Sequence, residues 1–251
     1  MKKTILPLIA CFLVSFALLP VLKAGSNTGA AVNAPAFNDS AASIDNTASS
    51  NSAEAVANSL YTTLNLKSIG LSFDALKYAL KGYRQLVDNG TLSNDEVLTV
   101  IDFSQPSSKK RMYILDVKNN KVLLNTYVAH GKNTGLQYAE HFSNRPESLQ
   151  SSLGFYVTKS TYSGKHGTSL RLEGLEKGWN DRAEERAVVV HGAEYIGSSR
   201  ADAAYMGRSW GCPAVPQSQV GTVINLIKGG TCLFIYHPSA DYLQESQLLN
   251  S

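Results

Sequence analysis

Residues 187–216, AVVVHGAEYIGSSRADAAYMGRSWGCPAVP, constrain this chain more than any other stretch. An apolar run, Ala187–Val190, delivers His191 at its end, and a small-residue segment then leads to Ser209-Trp210-Gly211-Cys212-Pro213. A histidine closing a strand and a cysteine in a turn bounded by Gly and Pro are what thiol acyl transfer needs. The imidazole has to lie within hydrogen-bond reach of the sulfur, and the sulfur has to sit on a turn rather than among packed side chains. Any fold for this chain must bring the two together across the seventeen residues between His191 and Ser209.

The remaining sequence narrows the class. At 251 residues the chain can form one substantial domain or two small ones, and 43% hydrophobic against 17% charged residues suits a globular protein. A net charge of +3, with Lys and Arg scattered rather than striped, does not point to nucleic acid. There are three cysteines and no Cys-x-x-Cys pair, so a structural zinc site has no support.

The first residues read as an export signal. Lys2 and Lys3 form a basic start, Ile5–Leu22 is almost wholly apolar, and Leu22-Lys23-Ala24 is a candidate cleavage site. Residues 1–24 are therefore expected to be a signal peptide that sends the protein to the periplasm or cell envelope. The alternative is an uncleaved anchor over Thr4–Leu22, interrupted by Pro7 and Pro20, and this segment is the only expected membrane contact. Leu8-Ile9-Ala10-Cys11 resembles a lipidation box but comes too early, so Cys11 reads as part of the apolar signal. Removal of 1–24 leaves Cys212 and Cys232 in a compartment that can be oxidising. Residues 25–58, rich in Ala, Ser, Asn, Thr and Gly, bury too little to offset ordering entropy and read as a flexible linker.

Ala53–Leu66 is a candidate first helix. Ser72 is a candidate N-cap for a second, in which Phe73, Leu76, Leu80, Tyr83 and Val87 recur near helical spacing until Asn89-Gly90. The period then changes. Val97–Phe103, Arg111–Val117, Val122–Ala129, Gly154–Thr161, Ser169–Leu172, Ala187–His191 and Thr231–Tyr236 are the strand candidates. Lys118–Lys121 reads as a hairpin turn, and Pro216–Lys228 as a helix ended by Gly229-Gly230. The expectation is a mainly β domain over residues 59–238 with two or three flanking α-helices, followed by a polar tail, 239–251.

Cys212 is useful only as a thiolate, which a nearby imidazole favours at neutral pH. The amides of Gly211 and Cys212 are candidates for an oxyanion hole; Pro213 has no N–H to add. The alternative for the sulfur is a disulfide with Cys232, although Cys232 lies in the apolar run Thr231–Ile235 and reads as a core residue. The order His191 before Cys212 is the reverse of papain-like peptidases. His130 and His166 each precede a glycine in an expected loop and, with Tyr195, Ser143 and Asn144, are candidate groove residues. A His130/His166/His191 zinc site is a further alternative that the spacing does not demand.

His191-Gly192 followed by Ser209-Trp210-Gly211-Cys212 resembles the His…[Ser/Thr]-His-Gly-Cys motif of L,D-transpeptidase (YkuD-like) catalytic domains. The stretches 129–135, 142–144, 162–167 and 207–215 resemble one branch of that family, and the likeness runs from about Leu71 to Pro238. The resemblance implies a β-sandwich-like fold and an exported enzyme acting on peptidoglycan stem peptides, with no metal or organic cofactor, as a monomer. It implies that Cys212 attacks the bond before the terminal D-Ala, that His191 is its base, and that the Gly192 carbonyl orients the imidazole. The acyl group then passes to an amine of a second stem, a 3→3 cross-link. Water as acceptor makes a carboxypeptidase, and an idle thiol a wall-binding module. Trp210 stands where the family commonly has a second histidine, and Pro213 where it has Arg or Asn. Arg208 is the candidate substitute for the missing cation, with Ser209 and Trp210 beside it at the substrate.

Overall fold

The computed structural model describes residues 46–250 apart from His166, with side chains from Ala53 onward. The expected export segment, the first part of the linker and His166 lie outside the described residues.

The linker gives way to structure earlier than its composition suggests: helix α1 spans Asn46–Thr63. Alanine is the best helix former, and Ala57 and Leu60 are buried, with Tyr61 and Leu64 packed beside them. A few apolar positions on one face are enough once a partner is present. That partner is α2, Phe73–Asp88. As expected, the Ser72 hydroxyl accepts the Ala75 amide at 3.2 Å, and the chain leaves the helix at Asn89-Gly90, where Gly90 is left-handed (φ 64°). Ala75, Leu76, Ala79, Gly82 and Leu86 form the buried face.

Among the described residues ten strands follow: β1 Val97–Asp102, β2 Met112–Asp116, β3 Lys121–Thr126, β4 His130–Gly131, β5 Gly154–Gly164, β6 Gly167–Gly174, β7 Val189–Ala193, β8 Arg208–Ser209, β9 Ala214–Pro216 and β10 Cys232–Tyr236. Eight form one mixed sheet in the order β3-β2-β1-β10-β5-β6-β7-β9, and β4 pairs with β8 separately. β1 and β10 run parallel at the centre and are buried throughout; β10 reads as an unbroken apolar run, and β1 as one broken only by Thr99 and ended by Asp102. α2 packs against β1 and β10, and α3, Val220–Ile227, against β1, β6 and β7. The class is mainly β with flanking helices, as expected.

One alternative is excluded and one expectation is corrected. Cys212 and Cys232 are free thiols; Cys232 is fully buried in the sheet, opposite Leu98 and Val157, so no disulfide joins them. The polar tail is not a tail: α4, Ala240–Glu245, and α5, Gln247–Asn250, dock on the domain and bury Tyr242 and Leu249. The Tyr242 hydroxyl donates to the buried Glu176 carboxylate at 2.9 Å, and the Ser246 hydroxyl donates to its other oxygen. Only two apolar side chains per short helix enter the core at most, too few to stand out in a polar segment.

Candidate active site

β7 carries His191 to the edge of the large sheet, where β9 runs parallel to it with His191 opposite Ala214. The His191 amide reaches the Pro213 carbonyl at 3.4 Å, so the strand that holds the histidine also holds the residue after the cysteine. The imidazole is 6% exposed, and its Nδ1 lies 2.8 Å from the Gly192 carbonyl. That contact assigns the Nδ1 proton to the carbonyl and presents the lone pair on Nε2. A Cβ at Gly192 would lie 2.3 Å from Gln217 Oε1 and 3.1 Å from Val220 Cβ, so any other residue there displaces the Gln217 side chain.

The cysteine turn is locked from both sides. Ser209 Oγ donates to the Cys212 carbonyl at 2.6 Å and accepts the Gly211 amide at 3.1 Å. Gly211 has φ 123°, and a Cβ on it would sit 2.8 Å from the Gln150 carbonyl, so only glycine fits. The Ser151 hydroxyl donates to the Gly211 carbonyl at 3.0 Å. Ser209 is therefore a buried part of the turn rather than a substrate contact. The Gly211 amide is also spent, which corrects the expected oxyanion pair: of the two amides only that of Cys212 is directed at the sulfur.

Cys212 is half-buried, and its thiol donates to the Ala187 carbonyl at 3.7 Å. Burial pushes the thiol above its ordinary value; the Val189 backbone amide, the Arg186 guanidinium and the Cys212 amide oppose that rise. The resting sulfur is thus a thiol rather than the expected standing thiolate. It needs its proton removed as it attacks, a task that suits the imidazole on the neighbouring strand.

The other expected residues divide sharply. Trp210 is 79% exposed at the tip of the turn, and Tyr195 is 40% exposed. Burial, and then the Cys212 sulfur, raise the Tyr195 phenol above its ordinary value. Arg208 is half-buried, donates to the Lys132 carbonyl at 2.8 Å and lies 4.9 Å over the Tyr205 ring. It borders an open cleft of about 460 Å³ that also takes in Lys132, Tyr138 and His141.

His130 does not face a groove. It is fully buried, with Nδ1 2.8 Å from the Arg111 guanidinium and Nε2 3.3 Å from the Gly135 carbonyl. Burial, followed by the Arg111 charge, lowers it to about 3, so it is a neutral core histidine with neither nitrogen left for zinc. Ser143 and Asn144 are structural too. The Ser143 carbonyl accepts from Ser152 and Arg186, and Asn144 donates to Asp181 at 2.7 Å and accepts the Arg182 amide. Among the described residues no three His, Cys, Asp or Glu side chains gather closely enough to hold a metal ion.

Sequence reasoning passed over Arg186. It lies one residue before the apolar run and looks like an ordinary surface charge at the end of a charged segment. Its only signal was its place five residues before His191.

Residues 67–236, more than half the chain, match the L,D-transpeptidase catalytic domain family. No curated protein matches the chain. Among solved structures, similarity is found to an L,D-transpeptidase from Mycobacterium smegmatis, at 14% identity over 57% of this chain and 59% of that one, TM-score 0.36. The L,D-transpeptidase LdtMt1 in complex with imipenem gives 14% over 56% and 59%, TM-score 0.35. An L,D-transpeptidase from Mycobacterium tuberculosis H37Rv gives 15% over 57% and 58%, TM-score 0.34. The chain thus covers less than two thirds of the length of each. With an imidazole on β7, a thiol in the turn that leads into its partner strand β9, and a match spanning both, this chain belongs to the L,D-transpeptidase catalytic domain family.

Proposed function

We propose that the protein is an exported cysteine acyltransferase that joins peptidoglycan stem peptides. The observation that carries this is the pairing of β7 with β9, which sets an imidazole oriented by the Gly192 carbonyl next to the Cys212 turn. In this reading Cys212 Sγ attacks the carbonyl before the terminal D-Ala of a tetrapeptide stem while His191 Nε2 takes the thiol proton. The Cys212 amide stabilises the oxyanion. The C–N bond then breaks, His191 returns the proton to the departing D-Ala amine, and a thioester remains. A side-chain amine of a second stem attacks that thioester, loses its proton to His191 and forms the 3→3 amide bond. Cys212 is released as a thiol. Tyr195 and Trp210 flank the turn on its open side and would meet the substrate first, and Arg208 would meet a substrate carboxylate.

The test is intact-mass spectrometry of the full chain incubated with a disaccharide-tetrapeptide. The expected result is an adduct on Cys212 equal to the stem minus D-Ala, absent from Cys212→Ala, followed by a cross-linked dimer. Folded protein that stays unmodified sinks the reading. An adduct that yields only the tripeptide shows that water is the acceptor. Acylation by a carbapenem is a quicker probe of the same sulfur.

A further inference from the structure

The Arg186 guanidinium is held in an unusual way. Nη1 donates to the Ser143 carbonyl at 2.8 Å and to the Ser152 hydroxyl; Nη2 donates to the Gln150 carbonyl at 2.6 Å and the Ser148 hydroxyl at 3.3 Å. Each terminal nitrogen carries two hydrogens, so all four are committed. Every acceptor is neutral. Among the described residues no carboxylate acts on the group; Tyr156 and Cys212 are the potential anions that do. Nη2 is also 3.4 Å from where a Cβ of Gly211 would lie, directly against the cysteine turn.

This sets Arg186 apart from Arg208, the candidate partner of a substrate carboxylate. A guanidinium whose terminal hydrogens are all placed is a poor receptor for a substrate carboxylate. A half-buried cation without a counterion also carries a desolvation cost that neutral acceptors only partly offset. Of the two potential anions, burial keeps the Tyr156 phenol protonated, which leaves the sulfur that becomes negative during the reaction. The clamp explains the loop as well. Glu147 (φ 58°) and Leu149 (φ 56°) are left-handed without being glycine, a conformation that persists only where surrounding contacts fix it.

We propose that Arg186 is a positioning residue for the nucleophile: fixed by the 143–152 loop, its charge faces the Cys212 turn and favours the thiolate as the proton leaves. The inference rests on Cys212 being the nucleophile, as proposed above. It is tested on the thiol alone, so the two fail separately.

The experiment is the pH profile of iodoacetamide alkylation at Cys212, read by mass on the full chain. Arg186→Gln, which keeps hydrogen-bond donors but removes the charge, is expected to move the midpoint up by about one pH unit, and Arg186→Lys to hold it near wild type. Ser148→Asp leaves Arg186 in place and sets a carboxylate on Nη2; the midpoint is expected to rise again. This second variant decides the matter if Arg186→Gln fails to fold. An unchanged midpoint in Ser148→Asp, or one that rises as far in Arg186→Lys as in Arg186→Gln, overturns the proposal and leaves Arg186 as a clamp on the loop alone.

Discussion

His130 and His191 both precede a glycine at the end of an apolar segment and both are buried, yet their roles are opposite. Arg111 makes the difference. Its guanidinium is fully buried, 4.6 Å over the Phe103 ring, with its other bonds to the Val128 and Gln105 carbonyls. Fully buried, and beside such a cation, His130 stays neutral. Its folded value, about 3, lies below the unfolded one of about 6.5, so the stability it contributes is present above pH 6.5 and is lost as pH falls toward 3. Between pH 7 and pH 5 the loss is expected to be about 2 kcal/mol, measured by urea unfolding at each pH. His130→Asn is expected to be less stable at pH 7 and to lose the His130 part of that slope. A wild-type stability that is flat over this range contradicts the assignment. Sequence could not separate the two histidines, since Arg111 lies nineteen residues from His130 and meets it only through the fold.

At the level of elements, α2 was legible because its signals are local: a hydroxyl cap, a periodic apolar face and a glycine stop. Its glycine at position 82 was not explained by sequence. The structure places Phe155 Cζ 2.2 Å from the Cβ that any other residue would add. Phe155 in turn stacks on Phe234, ring centres 4.1 Å apart, so the ring has packed side chains behind it. Gly82→Ala gains about 1 kcal/mol of helix propensity but overpacks the core by about 1–3 kcal/mol. Overpacking is expected to win, giving a net loss of up to about 2 kcal/mol in denaturant unfolding. A stabilised variant shows that the ring yields freely. The β7–β9 pairing was legible only in part. The apolar run before His191 announces a strand, but three residues, Ala214–Pro216, are too few to announce its partner. The same is true of the docked helices α4 and α5, whose attachment runs through Glu176, some seventy residues earlier.

For the molecule as a whole, those helices act as a closing strap. Ending the chain at Pro238 removes two donors from a buried carboxylate and the burial of Tyr242, an expected cost of about 4 kcal/mol. Thermal unfolding of the shortened protein checks this, and Tyr242→Phe is expected to cost about 1.5 kcal/mol of it. A shortened protein that melts with the full chain would mean that the strap is ornamental. The order of the sheet has its own consequence. β10, formed last in synthesis, lies between β1 and β5, and is the link that joins the hairpins on either side. A nascent or threading chain therefore carries two unjoined half-sheets, with their edges and apolar faces open to chaperones, until residue 236 emerges.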